Sequence, residues 1–220
     1  MDSKAVSREI RRHVWPLLRA EGFSRFTTRT AWRTSDGKID VLNFQSFNAY
    51  NASVIGVTPF SFSVNLGSFL IYVPPQWPPK LKDGHPTPDE AECQFRRRLM
   101  RGFTQADNQH ADVWNVDDQG WNLLSCVRDV IEQLPEAMTW FSRLTDKSEV
   151  LSVLINQDED MSSLWGFGSK PSPNRSYLTG YVALAVGNHD LAREKLQEAV
   201  QSDCFTTLFK DVEAAVGRAA

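Results

Sequence analysis

The sequence predicts an α+β fold in which an antiparallel β-meander packs against helices and an all-helical C-terminal extension follows. Residues 60–67 alternate apolar and polar side chains without interruption, as in a strand with one face in a core. The pair Asp36-Gly37, a strong hairpin signal, joins two further strand-like stretches. No strand pattern occurs from Ser148 onward. We therefore expect an α+β domain over 1–146 and a helical extension over 147–220.

The first element is a predicted helix over 3–20, where apolar residues recur at helical spacing. Ser3 is a suitable N-cap, and Pro16 removes a backbone donor, so the helix should bend or restart there. Gly22 should end this element in the left-handed conformation that glycine adopts readily.

The meander comprises predicted strands over 28–34, 39–47 and 60–72, with an Asn- and Ser-rich loop over 48–58. In the third strand the alternation assigns four apolar residues to a helix-covered core face: Phe60, Phe62, Val64 and Leu66. The opposite face, with Ser61, Ser63 and Asn65, should be polar.

A Pro-rich extended segment over 74–79 precedes the next predicted helix, which runs from Pro88 to Gly102. Thr87-Pro88-Asp89-Glu90 has the residues of a capping box, with Thr87 as N-cap and Glu90 reaching back to its amide. Residues 112–116 form a short extended piece that could add a strand.

An amphipathic helix is predicted over 123–144, continued or kinked at Pro135. Residues 166–174 read as a linker. A helical pair then breaks at Gly187-Asn188, and a third helix is predicted over 205–216. The small residues of this pair resemble those of one tetratricopeptide repeat, although a single copy favours a capping helical hairpin.

Composition excludes several classes of protein. No apolar run approaches the ~20 residues that span a bilayer, and the N-terminus has no signal-peptide pattern, so a cytoplasmic location is expected. Three distant cysteines favour reduced thiols, with Cys126 buried. The four histidines lack metal-ligand spacing, Asp158-Glu159-Asp160 lacks the rest of a calcium loop, and no catalytic motif is present. We therefore expect no cofactor, no metal and no catalytic residue.

Charge is distributed unevenly. Residues 1–35 hold eight Lys/Arg against three Asp/Glu, a balance of +5, whereas residues 102–165 hold three against twelve, a balance of −9. These acids are either solvated helix faces or a surface for a basic partner. Nucleic-acid binding is disfavoured by a pI near 5.8.

Several short motifs together resemble a known family. They are Gly22-Phe23, Asn43-Phe44-Gln45, Val64-Asn65-Leu66-Gly67, Cys93 with Arg96–Leu99, and Asp112–Trp114. In this order they resemble the bacterial domain-of-unknown-function family numbered 4304, over about residues 4–145. The resemblance implies an α+β fold and supplies no reaction.

Two polar groups are candidate binding residues. Asn43, Gln45 and Asn65 could form a platform of hydrogen-bonding amides on one sheet face, or serve only as a solvated face or as partners of loop backbone. Arg97 and Arg101, one helical turn apart, could hold a phosphate or carboxylate, or anchor Asp112 internally.

The sequence favours a protein-interaction domain without catalysis, such as an immunity or defence-associated partner in a bacterium. Seven tryptophans support this, because Trp is enriched at binding hot spots. Trp77, in the Pro-rich segment, should be exposed, and Trp114 is a second candidate. The alternatives are a ligand- or nucleotide-binding domain that uses the amides and the arginine helix, or an unrecognised hydrolase.

Overall fold

The computed structural model describes residues 3–105, 110–156 and 172–219. Its strands are β1 (Arg25–Phe26), β2 (Thr30–Ser35), β3 (Lys38–Ser46), β4 (Phe62–Leu70), β5 (Leu81–Lys82), β6 (His85–Pro86) and β7 (Phe95–Arg98). Its α-helices are α1 (Ser3–His13), α2 (Trp15–Ala20), α3 (Ala49–Val54), α4 (Leu123–Arg143), α5 (Lys147–Ile155), α6 (Pro173–Ala185), α7 (His189–Gln201) and α8 (Val212–Val216). The fold is α+β, as predicted, with a helical C-terminal region.

A five-stranded antiparallel sheet has the strand order β1-β2-β3-β4-β7, and β5 pairs with β6 in a separate two-stranded ribbon. The predicted meander is therefore confirmed, because β1 to β4 are neighbours both in sequence and in space. The β2–β3 turn contains Gly37 at φ +76°, a left-handed conformation that favours glycine.

The chain forms two compact units, neither of which is continuous in sequence. Unit 1 comprises Met1–Thr34, Asp40–Leu66 and Arg97–Trp140, and unit 2 comprises Ser35–Ile39, Gly67–Arg96 and Phe141–Ala220. The division of the chain into two domains at 146/147 remains a prediction.

An aromatic cluster forms the centre of unit 1. Trp15 packs edge-on against Phe44 with ring centroids 5.6 Å apart, Phe44 lies 5.5 Å from Phe62, and Phe62 stacks on Trp114 at 5.8 Å. The predicted first helix is present but is divided at Val14, and Pro16 falls in the first turn of α2, where its missing N–H costs nothing.

Strand β4 differs from the prediction on one face. Phe62, Val64 and Leu66 are buried as expected, but Phe60 lies before the strand and is only half-buried. Every residue of β4 is buried, so its polar face is not exposed to water. Ser61, directly before β4, is also buried and has internal partners: its hydroxyl donates to Asn115 Oδ1 at 3.0 Å and accepts from the Val116 amide at 3.1 Å.

The helix predicted over 88–102 is wrong. Its place is taken by a short 3₁₀ turn, Glu90–Glu92, followed by strand β7. Thr87 caps no helix, and its hydroxyl donates to the Lys80 carbonyl at 3.1 Å. The side chain of Glu92, rather than Glu90, closes the turn by accepting the Asp89 amide at 2.8 Å.

Three further differences concern local structure. Helix α3 lies within the predicted loop over 48–58 and begins at Asn48, whose side chain accepts the Asn51 amide at 2.7 Å. The extended piece over 112–116 pairs with β4 through a single bridge between Trp114 and Phe62. The third helix of the tail, predicted over 205–216, is shorter in the structure. It consists of α8 alone, because the residues before its N-cap Asp211 form turns.

Unit 2 contains the predicted helical hairpin, α6 and α7, which is broken at Gly187-Asn188 as expected. Gly180 permits close packing of the two helices, since a Cβ there would lie 2.7 Å from Leu196 Cγ. Tyr177 stacks on Phe205 at 4.7 Å and on Phe209 at 6.0 Å, which joins the turns after α7 to the hairpin.

The three cysteines are free. Cys93 and Cys126 are buried, and Cys204 is exposed. Burial is the largest cause that raises the pKa of the Cys126 thiol to about 12. No helix in the described ranges is long and apolar enough to cross a membrane.

Candidate functional site

The amide residues lie on one face of β3 and β4, as the alternation predicts. Asn65 Nδ2 donates to Gln45 Oε1 at 2.8 Å, and Asn43 Nδ2 donates to the Thr30 hydroxyl at 2.9 Å. Asn65 is buried, whereas Gln45 is exposed. The amides therefore bond to one another and to Thr30, which ties neighbouring strands together.

The arginines do not lie on a helix, so Arg97 and Arg101 do not share a helical face. Arg97 forms an ion pair with Glu136 on α4, and Arg98 forms one with Asp112 at 2.5 Å. Arg101 donates to the carbonyls of Phe103 and His110 at 3.0 and 3.3 Å. Asp112 is thus anchored internally, by Arg98 instead of Arg97 or Arg101.

Trp114 is a fully buried core residue. Its Nε1 donates to Asp129 Oδ2 at 2.8 Å, and the same carboxylate accepts the Gly102 amide. The indole therefore fixes the loop before α4 against that helix and presents no surface to a partner.

Trp77 is exposed, at 81% of its surface, and belongs to the wall of a cleft of about 400 Å³ in unit 2. One wall is the Pro-rich segment, residues 74–77, and the other is residues 91–94. Phe69, Val73 and Leu178 contribute apolar surface.

The Pro-rich wall is held by one side chain of α6 and one from the turn after α8. The Tyr177 hydroxyl donates to the Pro74 carbonyl at 2.6 Å, and Arg218 Nη2 donates to the Pro75 carbonyl at 3.3 Å. Burial is the largest cause that raises the pKa of Tyr177, which keeps the phenol protonated as a donor. The segment therefore has a defined conformation although it makes no sheet hydrogen bonds of its own.

The opposite wall is fixed by close packing in unit 2. A Cβ at Gly67 would lie 2.6 Å from Cys93 Sγ, so glycine allows the turn at 90–93 to lie directly on β4. Gln94 Oε1 accepts the Leu70 amide at 2.8 Å. Both walls are therefore held by contacts within unit 2.

The polar groups of the cleft are suited to hydrogen bonding with a ligand. Four side chains present amide or carboxylate tips: Gln76, Glu92, Gln94 and Asn174. Gln76 Nε2 donates to Asn174 Oδ1 at 3.2 Å, which links the Pro-rich wall to α6. Amides are not nucleophiles or useful bases, but they match the donors and acceptors of a peptide backbone.

A second exposed tryptophan, Trp121, was not predicted from the sequence. Trp121 is 88% exposed and Leu124, at the start of α4, is 55% exposed. Their neighbour Asp117 accepts the backbone amides of Gln119, Trp121 and Asn122 at 2.9–3.1 Å. The signal that could have found this surface is Asp117-Asp118-Gln119-Gly120-Trp121 directly before the helix, because a Trp before the first helical turn need not face the core.

Among the described residues, no group of three His, Cys, Asp or Glu side chains is placed to hold a metal ion. The acidic triplet Asp158-Glu159-Asp160 and most of the expected linker over 166–174 lie outside those residues.

A family model described as a domain of unknown function (DUF4304) matches residues 14–143, more than half of the chain. The chain belongs to the DUF4304 family. No curated protein and no solved structure matches it. Trp77 and the five-stranded sheet lie within the DUF4304 match, whereas the cleft residues Asn174, Tyr177 and Leu178 lie beyond its end. The cleft of this member thus combines family residues with residues of the C-terminal helices.

Proposed function

We propose that this protein is a non-catalytic protein-interaction domain whose cleft beside Trp77 binds an extended segment of a partner protein. The observation that carries the proposal is a tryptophan exposed at 81% on the wall of a cleft. Tryptophan is enriched at binding hot spots, and most proteins bury such a side chain more fully.

The chemistry of the cleft supports an extended peptide as the ligand. The exposed indole of Trp77 can pack against a ligand side chain above the buried apolar lining of Phe69, Val73 and Leu178, while amide tips along both walls can pair with backbone N–H and C=O groups. Tyr177 and Arg218 hold the Pro-rich wall in place, so little ordering of the cleft opposes binding.

The alternative functions have weaker support. The amides expected to bind a small ligand or a nucleotide are less accessible, because Asn65 is buried and bonded to Gln45 and Asn43 is half-buried and bonded to Thr30. Arg97 pairs with Glu136. No geometry seen in the described residues favours a hydrolase. A role in bacterial immunity or defence stays a prediction, as does a cytoplasmic location.

The test is affinity purification from the native host with wild-type protein, Trp77→Ala and the control Trp121→Ala, followed by quantitative mass spectrometry. Trp121 is as exposed as Trp77 but lies in unit 1, so its loss should not affect the cleft. Both variants should keep the wild-type unfolding midpoint, because exposed substitutions change stability by about 0.5 kcal/mol or less.

The proposal expects a protein that wild type and Trp121→Ala capture and Trp77→Ala loses. A hot-spot truncation costs about 2 kcal/mol or more, which is roughly a 30-fold loss of affinity. Capture of the same proteins in the same amounts by Trp77→Ala would contradict it.

A further inference from the structure

We infer that this protein self-associates head to tail, with the Trp121 surface of one copy docking on the basic helix surface of a second copy. The Trp121 surface consists of Trp121, Leu124, Asp117 and Asp118. The basic helix surface consists of Lys4, Arg8, Arg11 and Arg12 on α1 and Leu17 on α2. Both surfaces belong to unit 1, so the inference is independent of the Trp77 cleft in unit 2.

The Trp121 surface is apolar at its centre and negative at its edge. Trp121 and Leu124 are largely exposed, and Asp118 beside them is exposed. Asp117 fixes the turn by accepting three backbone amides, so the indole is carried on an ordered loop. Burial acts to raise the pKa of Asp117, but hydrogen bonds from backbone amides outweigh it and hold the pKa below its ordinary value.

The basic helix surface is the outer side of a strongly amphipathic helix. Val6, Ile10 and Val14 are fully buried on the inner side, and the four cationic residues are exposed on the outer side. Lys4 and Arg12 have no partner in the part of the chain that the structure describes. Among the described residues, Arg8 pairs with its neighbour Glu9, at 3.4 Å. On α2, Leu17 is 41% exposed.

The two surfaces are complementary in charge and in apolar character. One carries carboxylates beside Trp121, and the other carries the cations of α1 and the exposed Leu17 of α2, so charges can pair while exposed apolar side chains leave water. A guanidinium can also stack on the exposed indole, which is the best aromatic acceptor of a cation. The segments that contain these surfaces differ in charge in the same sense. The charge balance is +5 over residues 1–35 and −9 over residues 102–165.

This complementarity identifies the occupant as a second copy, because the chain itself supplies both halves of the contact. In the head-to-tail arrangement that we infer, each copy keeps one of its two surfaces free for a further copy, so assembly can continue as concentration rises. We expect association to be weak and reversible, because each surface comprises only a few side chains.

The test is sedimentation velocity of the full chain over a concentration series that reaches about 1 mM, as contacts burying less than ~1,200 Å² are weak. The runs compare ionic strengths of ~0.05 and ~0.5 M. At ~0.5 M the screening length falls to about 4 Å. Two charge reversals are used, Asp118→Lys on one surface and Lys4→Glu with Arg12→Glu on the other. The matched control is Glu132→Lys, an exposed acid roughly 12 Å along α4 from Leu124.

We expect wild type to show a mean sedimentation coefficient that rises with concentration at low salt and not at high salt. Each reversal, and Trp121→Ser, should weaken association at least tenfold, whereas Glu132→Lys and Trp77→Ala should leave it within twofold of wild type. An equal mixture of the two charge-reversed proteins should associate again, because each then meets a surface of opposite sign.

Wild type that stays monomeric throughout the concentration series at low salt would overturn the inference. So would association that is indifferent to both reversals, or a mixture that fails to restore it. Circular dichroism of each variant must show the wild-type spectrum, which separates lost docking from lost folding.

Discussion

Replacing Phe62 with alanine tests whether β4 packs into the aromatic cluster at the centre of unit 1. Phe62 is fully buried, lies 5.5 Å from Phe44 and stacks on Trp114 at 5.8 Å. Truncation of a buried Phe costs about 3–5 kcal/mol. Each aromatic pair contributes ~0.5–1.5 kcal/mol beyond area burial, so the loss should fall in the upper part of that range.

The assay is urea denaturation followed by tryptophan fluorescence and far-UV circular dichroism, with coincidence of the two transitions as the criterion for two-state unfolding. The matched control is Phe60→Ala, two residues earlier and only half-buried. It should cost clearly less than Phe62→Ala. A loss below ~1 kcal/mol for Phe62→Ala, or equal losses for both variants, would refute the packing described here.

Three further predictions concern stability and reactivity. In an exposed helix, replacing glycine with alanine raises stability by ~1 kcal/mol. Gly180→Ala should instead lower Tm, because its Cβ would lie 2.7 Å from Leu196 Cγ. A higher Tm would show that the two helices are less closely packed. Asp40→Ala should lower the free energy of unfolding in urea by about 3–5 kcal/mol, because Arg33, which bonds this buried carboxylate at 2.8 Å, loses its partner; a change under ~1 kcal/mol would argue against a buried ion pair. Thiol labelling at pH 8 should modify Cys204 quickly and the two buried cysteines only on unfolding; a second fast thiol would contradict their burial.

Local signals in the sequence were sufficient for the elements they control. Asp36-Gly37 specifies a hairpin by itself, and the break at Gly187-Asn188 separates two helices through a left-handed glycine at φ +80°. Pro16 predicted the division of the first helix for the same kind of reason, since a missing N–H acts within one turn.

The error over 88–102 arose where local and long-range signals conflict. Phe95 and Leu99 are four residues apart, a spacing that puts them on one side of a helix and equally on one side of a strand. Strand β7 forms because β4 offers an edge, as shown by the Leu99 amide that donates to the Val64 carbonyl at 3.0 Å. A pairing between residues so distant in sequence is not encoded in the pattern of either strand alone.

The site was only partly predictable for a similar reason. Exposure of Trp77 followed from its Pro-rich surroundings, which cannot form a central strand. The cleft itself requires Tyr177 to reach the Pro74 carbonyl, a contact between residues that are 103 positions apart. Burial of Trp114 likewise depends on Asp129, which lies on the following helix.

The central claim is that Trp77 contacts a partner segment. The most direct measurement is ¹⁹F NMR of protein labelled with 5-fluorotryptophan, which gives one resonance for each of the seven tryptophans. Titration with the partner captured by the wild-type protein should shift the resonance assigned by Trp77→Phe and leave that of Trp121 in place. An unmoved Trp77 resonance at saturating partner would contradict the claim and place the interaction elsewhere on the protein.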